Sequence, residues 1–478
     1  MKHKLVVLHV LVIVSFLLTA CDFIKFATMV PENAAGSKIS NGQPPANSSL
    51  PTVETAPSKP MPTPVLLGDY SLLSPDDMRA DLDYLFQKLE SAHPNLYMNR
   101  PKIEVDADRQ RVYAELAQPA TIINYYLKVA PLIASLGDRH TFVLLPSNAI
   151  GSQELFFPLV VEFHEKRAFI VQNFSGVTSI QTGAELLFIN GTPVSSVQND
   201  LTRLGFDHDG VSYSMWYLYG SLPEYQLEII SPGEATSVDY TVPGMTSEAI
   251  WKVASSIDYP RLNYVTLPGE KIGVMTINTF RGGPGQLLAP AFTQIQNDNI
   301  QNLIIDIRSN QGGNLDQVDT LMKYLTNQPY RHCSVRFARY VVDISSPPRE
   351  IECVLIEPLD IPLRYKGKLY LLIGPDTFSA AITLATILQD YNLAVLIGEE
   401  TRDKASYCGY TSDPQSLART HLLYQCPADC YVRPSGISDN HGVIPDVIVE
   451  TIFQDRLAGV DLALAKALEL IRSSTPTP

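Results

Sequence analysis

The chain has 478 residues, 45% of them hydrophobic and 18% charged, with 36 Lys and Arg against 50 Asp and Glu. This is the balance of a globular protein with a sizeable core, long enough for roughly two or three domains. The formal net charge of −14 excludes nucleic acid as a partner, because no basic footprint exists to displace phosphate counterions.

Lys2 and Lys4 precede an apolar run at 5–18, LVVLHVLVIVSFLL, which is too short to span a bilayer comfortably. A basic start, a short apolar core and a small residue before a cut site describe a secretory signal over residues 1–21. Leu18-Thr19-Ala20-Cys21 resembles the bacterial lipobox. That resemblance implies lipidation of Cys21 and an exported chain anchored by lipid to the cell membrane, facing outside the cytoplasm. Residues 22–68 are dominated by Pro, Ser, Thr, Asn and Ala and read as a disordered tether.

Five cysteines follow Cys21: Cys333, Cys353, Cys408, Cys426 and Cys430. The odd count leaves at least one thiol unpaired. Cys333 with Cys353 across a hairpin and Cys426 with Cys430 across a short loop are the candidate bridges, and spacing alone leaves the connectivity open. No His or Cys pair with zinc-finger spacing accompanies them, so no metal is expected.

Residues 69–150 read as a helical region. Ser74-Pro75-Asp76-Asp77 is a helix start, followed by Met78, Leu82, Leu85, Phe86 and Leu89 at helical spacing. A second helical stretch at 120–137 stops at Gly137 and delivers Asp138-Arg139-His140-Thr141 to a loop before the strand-like FVLL at 142–145. Residues 151–250 look like short strands. Within them, IQTGAELLFINGTPV at 180–194 has an Asn190-Gly191 hairpin turn between apolar runs and resembles a PDZ-like domain, which implies binding of extended peptides by strand addition.

Residues 251–478 alternate strand-like and helical patterns, as α/β domains do. KIGVMTI (271–277), NLIIDIR (302–308), KLYLLIG (368–374) and LAVLIG (393–398) are buried strands, and LAGVDLALAKALELIRS (457–473) is an amphipathic last helix. Ser379 falls between the strand ending at Gly374 and the helical AAITLATILQDY from Ala380. A serine there suits a nucleophile, because helix N–H groups face the oxyanion it would create. It equally suits ordinary helix capping. Gly312-Gly313, after the strand 302–308, lets backbone N–H groups approach a ligand closely. His140 has the ordinary chemistry of a general base. Asp439, in ISDNHGVIPDVIV (437–449), is a carboxylate suited to orient an imidazole.

Taken in order, these stretches resemble the C-terminal processing and tricorn-like serine peptidases of family S41. The resemblance runs from about Leu72 to Ile452 and is carried by Ala92-His93-Pro94-Asn95-Leu96-Tyr97, the PDZ-like segment, Asp306-x-Arg308-x-Asn310-x-Gly312-Gly313, Thr377-Phe378-Ser379-Ala380-Ala381, Gly398-Glu399-Glu400-Thr401 and Gly442-Val443-x-Pro445-Asp446. It implies a multi-domain α/β (α+β) protein: an N-terminal helical region, a PDZ-like β domain and an α/β catalytic core. It also implies peptide-bond hydrolysis by Ser379, with the amides of Gly313 and Ala380 as oxyanion donors, a peptide or protein substrate, and no cofactor. Two bases remain open. Asp138-Arg139-His140-Thr141 fits the tricorn-like branch, with Asp439 orienting His140 and Glu399 and Glu400 as rivals for that role. Lys404 stands at the lysine position of the processing branch, although Asp403 and Ala405 replace the two glycines of that motif. A peptide-binding lipoprotein without turnover is the other reading of the same fold. An α/β-hydrolase esterase fits poorly, since Ser379 lacks the Gly-x-Ser-x-Gly elbow.

Overall fold

The computed structural model describes residues 71–474, except for 147–148, 165, 207–213, 255–259, 340–346, 410–413, 439, 452–454 and 456–457. The signal, Cys21, the tether and Asp439 lie outside the described residues.

The N-terminal layer is built on helices. Helix Pro75–Ala92 is capped by the Ser74 side chain, which accepts from the Asp77 amide, and Asp76 and Asp77 complement the positive end of its dipole. Thr121 caps helix Ile122–Ala134 in the same way, and Gly137, at φ 69°, turns the chain after it. A third helix, Lys102–Glu115, buries Val105 alone. With so little apolar surface it leaves no periodic signal in the sequence.

The middle of the chain forms an antiparallel sheet from strands Leu159–His164, Arg167–Asn173, Glu185–Ile189, Glu224–Ile230 and Val238–Pro243. Helix Val194–Arg203 packs on it over a separate apolar core. Asn190 and Gly191 both have positive φ, 51° and 75°, as the tight turn into Thr192–Pro193 requires.

The last third is a six-stranded sheet in the order Leu262–Thr266, Ile272–Ile277, Asn302–Asp306, Lys368–Ile373, Val395–Gly398 and Val447–Ile448. All but the first pairing are parallel. Alternate residues enter two cores. Leu303, Ile305, Leu371 and Ile373 face helices Gly285–Asn297, Leu315–Leu325 and Ala380–Asp390. Ile304, Tyr370 and Leu372 face the last helix, Leu462–Ser474. Burial on both faces is why these strands read as unbroken apolar runs.

The last third also reaches back into the helical layer. Strand Leu423–Gln425 pairs with Phe142–Leu144, and buried Asp81 accepts the amides of Arg419 and Thr420 at 3.1 and 2.7 Å. Leu417, Leu422 and Tyr424 thereby join the core of Leu82 and Tyr126.

Cys333 and Cys353 are bonded as expected. Cys430 is bonded to Cys408 and not to Cys426. Strands Tyr407–Gly409 and Asp429–Val432 run antiparallel with Cys408 directly opposite Cys430, their Cα atoms 3.8 Å apart. Strand register, which spacing does not report, selects the partner.

Candidate active site

Ser379 occupies the first position before helix Ala380–Asp390, with φ 56° and ψ −122°, and its side chain makes no capping hydrogen bond. A non-glycine residue in this region is strained, so the capping explanation does not account for it. The surrounding turn enforces the strain. Thr377 is buried, its amide donates to Gly374 O (3.0 Å), and its hydroxyl accepts from Gly374 N and donates to Ile307 O, both at 3.1 Å. The Phe378 amide donates to Asn310 O at 3.0 Å.

Asn310 is fully buried and joins this turn to the glycine turn. Its side chain donates to Ile277 O at 2.9 Å and accepts the Gly312 amide at 2.8 Å. Gly312 and Gly313 have φ of 85° and 138°. A Cβ on Gly312 would lie 2.7 Å from Ser379 Cβ and 2.9 Å from Ala380 N. Phe280 N donates to Gly312 O and Asn314 N donates to Phe280 O. In that parallel bridge the Gly313 N–H points away from Phe280. The Gly312-Gly313 step thus packs against the Ser379-Ala380 step.

His140 is 2% exposed. Its ring stacks on Phe378, the residue before Ser379, at 4.5 Å, and on Tyr407 at 5.5 Å. Asp138 holds the loop that carries it, accepting the His140 amide (3.1 Å) and the Thr141 hydroxyl (2.5 Å) and facing His93 Nε2 at 3.0 Å. His93 Nδ1 accepts from the Asn95 amide, so its proton sits on Nε2 and is donated to Asp138. Burial opposes ionisation of Asp138, but the His93 hydrogen bond with the nearby His140 and Thr141 outweighs it, holding the carboxyl below its usual range. Burial pulls the His140 pKa down to about 4. The Asp138 charge opposes this and Arg139 adds to it.

The carboxylate that approaches His140 is Asp403, whose Oδ2 lies 3.9 Å from Nδ1 while Oδ1 accepts the Lys404 amide at 2.9 Å. Glu400 instead accepts the Gly442 amide at 2.8 Å, and Glu399 accepts the Thr451 amide. Both fasten the segment 398–401 to 442–451. The Lys404 ammonium donates to Asn99 Oδ1 in the helical layer. Tyr407 is the other group missed from the sequence. Its hydroxyl bonds Thr383 Oγ1 at 2.8 Å, and burial pushes its pKa well up, keeping the phenol protonated, with the neighbouring Ser379 side chain weakly opposing the shift. Asp403 left one trace in the sequence, an acidic residue where the processing motif has glycine. Tyr407 left none. His93 also lies near Cys408 and Cys430, but the disulfide occupies both sulfurs, so the set offers a metal a single ligand.

Residues 271–449 match the family model "Peptidase family S41". A tail-specific protease of Haemophilus influenzae is 27% identical over 168 residues, 35% of this chain and 22% of the relative. A carboxyl-terminal-processing protease of Synechocystis sp. is 25% identical over 251 residues, 51% of this chain and 52% of the relative. The chain therefore spans about half or less of the length of these relatives. Among solved structures, mature CPAF complexed with lactacystin superimposes with a TM-score of 0.60 at 17% identity, over 83% of this chain and 97% of the other. That likeness is one of fold.

Proposed function

We propose that this chain, whose residues 271–449 match the family model "Peptidase family S41", is a serine peptidase of that family acting on a peptide or protein substrate, with Ser379 as nucleophile. The observation that carries this reading is the strained, uncapped Ser379 packed against the Gly312-Gly313 turn. Strain of this kind persists where the surrounding structure over-determines it, as at catalytic turns.

In the proposed mechanism His140 takes the Ser379 proton as Oγ attacks the substrate carbonyl, then returns it to the leaving amine. The amides of Gly313 and Ala380 receive the oxyanion. Asp403, facing Nδ1, orients the imidazole and leaves Nε2 for the serine. The stacking of His140 on Phe378 and Tyr407 supports His140 over Lys404. The Lys404 side chain is instead engaged by Asn99 of the helical layer. Export and lipid anchoring at Cys21, a PDZ-like role for residues 151–250, and Asp439 as a further carboxylate belong to the same proposal. No helix among the described residues is long and apolar enough to cross a membrane.

A fluorophosphonate probe tests the assignment. Wild type should label at Ser379, Ser379→Ala should not label, His140→Ala should label at least about 100-fold more slowly, and Lys404→Ala should stay near wild type. Labelling lost in Lys404→Ala but kept in His140→Ala would make Lys404 the base. No labelling of a folded wild type, together with tight peptide binding, would favour the non-catalytic peptide binder.

A further inference from the structure

A cavity of about 420 Å³ is lined at one end by Phe378, the residue before Ser379, and lies within the range of roughly 300–1,000 Å³ typical of ligand sites. Gln311, Phe378 and Asp403 line its catalytic end. Its other end is apolar, walled by Tyr126, Ala130 and Ala134 of helix Ile122–Ala134 together with Phe206 and Tyr217. The Tyr217 ring is tilted against Tyr126 and stacked on Phe206, with centroids 5.0 and 5.2 Å away. Tyr126, Ala130 and Tyr217 are buried, so this wall is preformed. The cations of the lining gather at the catalytic end: Arg139 lies over the Phe378 ring, Arg402 lies 3.5 Å from Asp376, and Lys404 is bonded to Asn99.

We propose that this cavity is a specificity pocket that takes a large apolar side chain, aromatic or long aliphatic, from a substrate residue flanking the scissile bond. The proposal rests on the peptidase reading and deepens it. Phe378, the residue before the proposed nucleophile, lines the cavity, and in this proposal a side chain next to a carbonyl held at Ser379 reaches it past the Phe378 ring. An Asp or Lys side chain in the apolar end would lose hydration without a partner. Every residue of the apolar wall precedes residue 271, where the family match begins. Selectivity is therefore set by this chain's own N-terminal half, and the catalytic third supplies the chemistry.

The test uses the purified full chain and internally quenched peptides of one scaffold, with Ala, Leu, Phe, Trp, Asp or Lys placed on either side of the cleaved bond. At one of the two positions, Phe and Leu should exceed Asp and Lys in kcat/KM by about 10-fold or more. Ala134→Phe, which fills the cavity, should lower the Phe-over-Ala ratio at that position by a similar factor. Phe206→Ala, which enlarges the cavity, should raise the Trp-over-Phe ratio and stands in if Ala134→Phe fails to fold. Cleavage indifferent to the varied residue, or ratios unchanged in the folded variants, overturns the pocket while fluorophosphonate labelling upholds the peptidase. A wild type that neither labels nor cleaves overturns both.

Discussion

Ser379 shows how far a single residue can be read without its surroundings. Its place between a strand and a helix is plain in the chain, yet that place suits a cap as well as a nucleophile. The two part only at the backbone, where φ 56° and the missing capping bond remove the cap. Tyr407 is visible only in three dimensions, through its contacts with Ser379, Thr383 and His140. As a protonated donor it would stabilise the negative charge developing on Oγ. Tyr407→Phe keeps the ring against His140 and removes the hydroxyl. Its acylation rate should fall roughly 10- to 100-fold, the worth of about 1.5–3 kcal/mol for a hydrogen bond to a charged group, and an unchanged rate would discard the role. His140 carries a pH signature. Its pKa drops from an ordinary 6.5 to about 4 because burial penalises the imidazolium, so the proposed base is already neutral at pH 6. The kcat/KM profile should hold its plateau down to about pH 5 and fall towards pH 4, whereas a lysine base would give an alkaline rise. The same shift bears on folding. Between pH 6.5 and 4 the unfolded chain binds the proton that the native state refuses, so this group's contribution to stability is complete above 6.5 and is lost as the pH falls through that window.

At the scale of elements, the site is a joint between two turns, each following a parallel strand. The strands Asn302–Asp306 and Lys368–Ile373 are neighbours in register, so the turns after them meet at the same sheet edge. Asn310 then locks them together. Gly312 is where that joint has no slack. At φ 85°, and with Ser379 Cβ 2.7 Å from any added Cβ, Gly312→Ala must move the proposed nucleophile, Ser379. Fluorophosphonate labelling should drop about 100-fold or more, as for other small misplacements of reacting groups, while circular dichroism keeps its native shape. Labelling at the wild-type rate would mean that the close packing has no catalytic consequence. Both glycines and Asn310 stood out in the sequence. Their partnership with Phe378 did not, because chain spacing is silent on which turns share a sheet edge.

For the whole molecule, the decisive arrangement is that Ser379 and His140 come from separate layers. Strand Phe142–Leu144, two residues past His140, is held by Leu423–Gln425, and Asp81 anchors the segment leading into that strand through the Arg419 and Thr420 amides. Asp81→Ala leaves two amides without that acceptor, at a cost of about 1–3 kcal/mol for each one left unsatisfied. The melting temperature should fall, and labelling at Ser379 should slow, although Asp81 touches neither Ser379 nor His140. Destabilisation without slower labelling would mean that this clamp does not hold His140 in place.

The sequence by itself determined four strands of the last six-stranded sheet and the last helix, the helix start at Ser74, the Asn190-Gly191 turn, and Ser379 with its glycine turn. Each is written locally, in apolar runs, caps and residues that tolerate special backbone angles. Tertiary structure decided what lies across space. It paired Cys430 with Cys408, turned Asp403 towards His140, engaged Glu399 and Glu400 elsewhere, and closed an apolar cavity between two layers. These are matters of strand register and of contacts between residues hundreds of positions apart, and no local pattern in the chain encodes them.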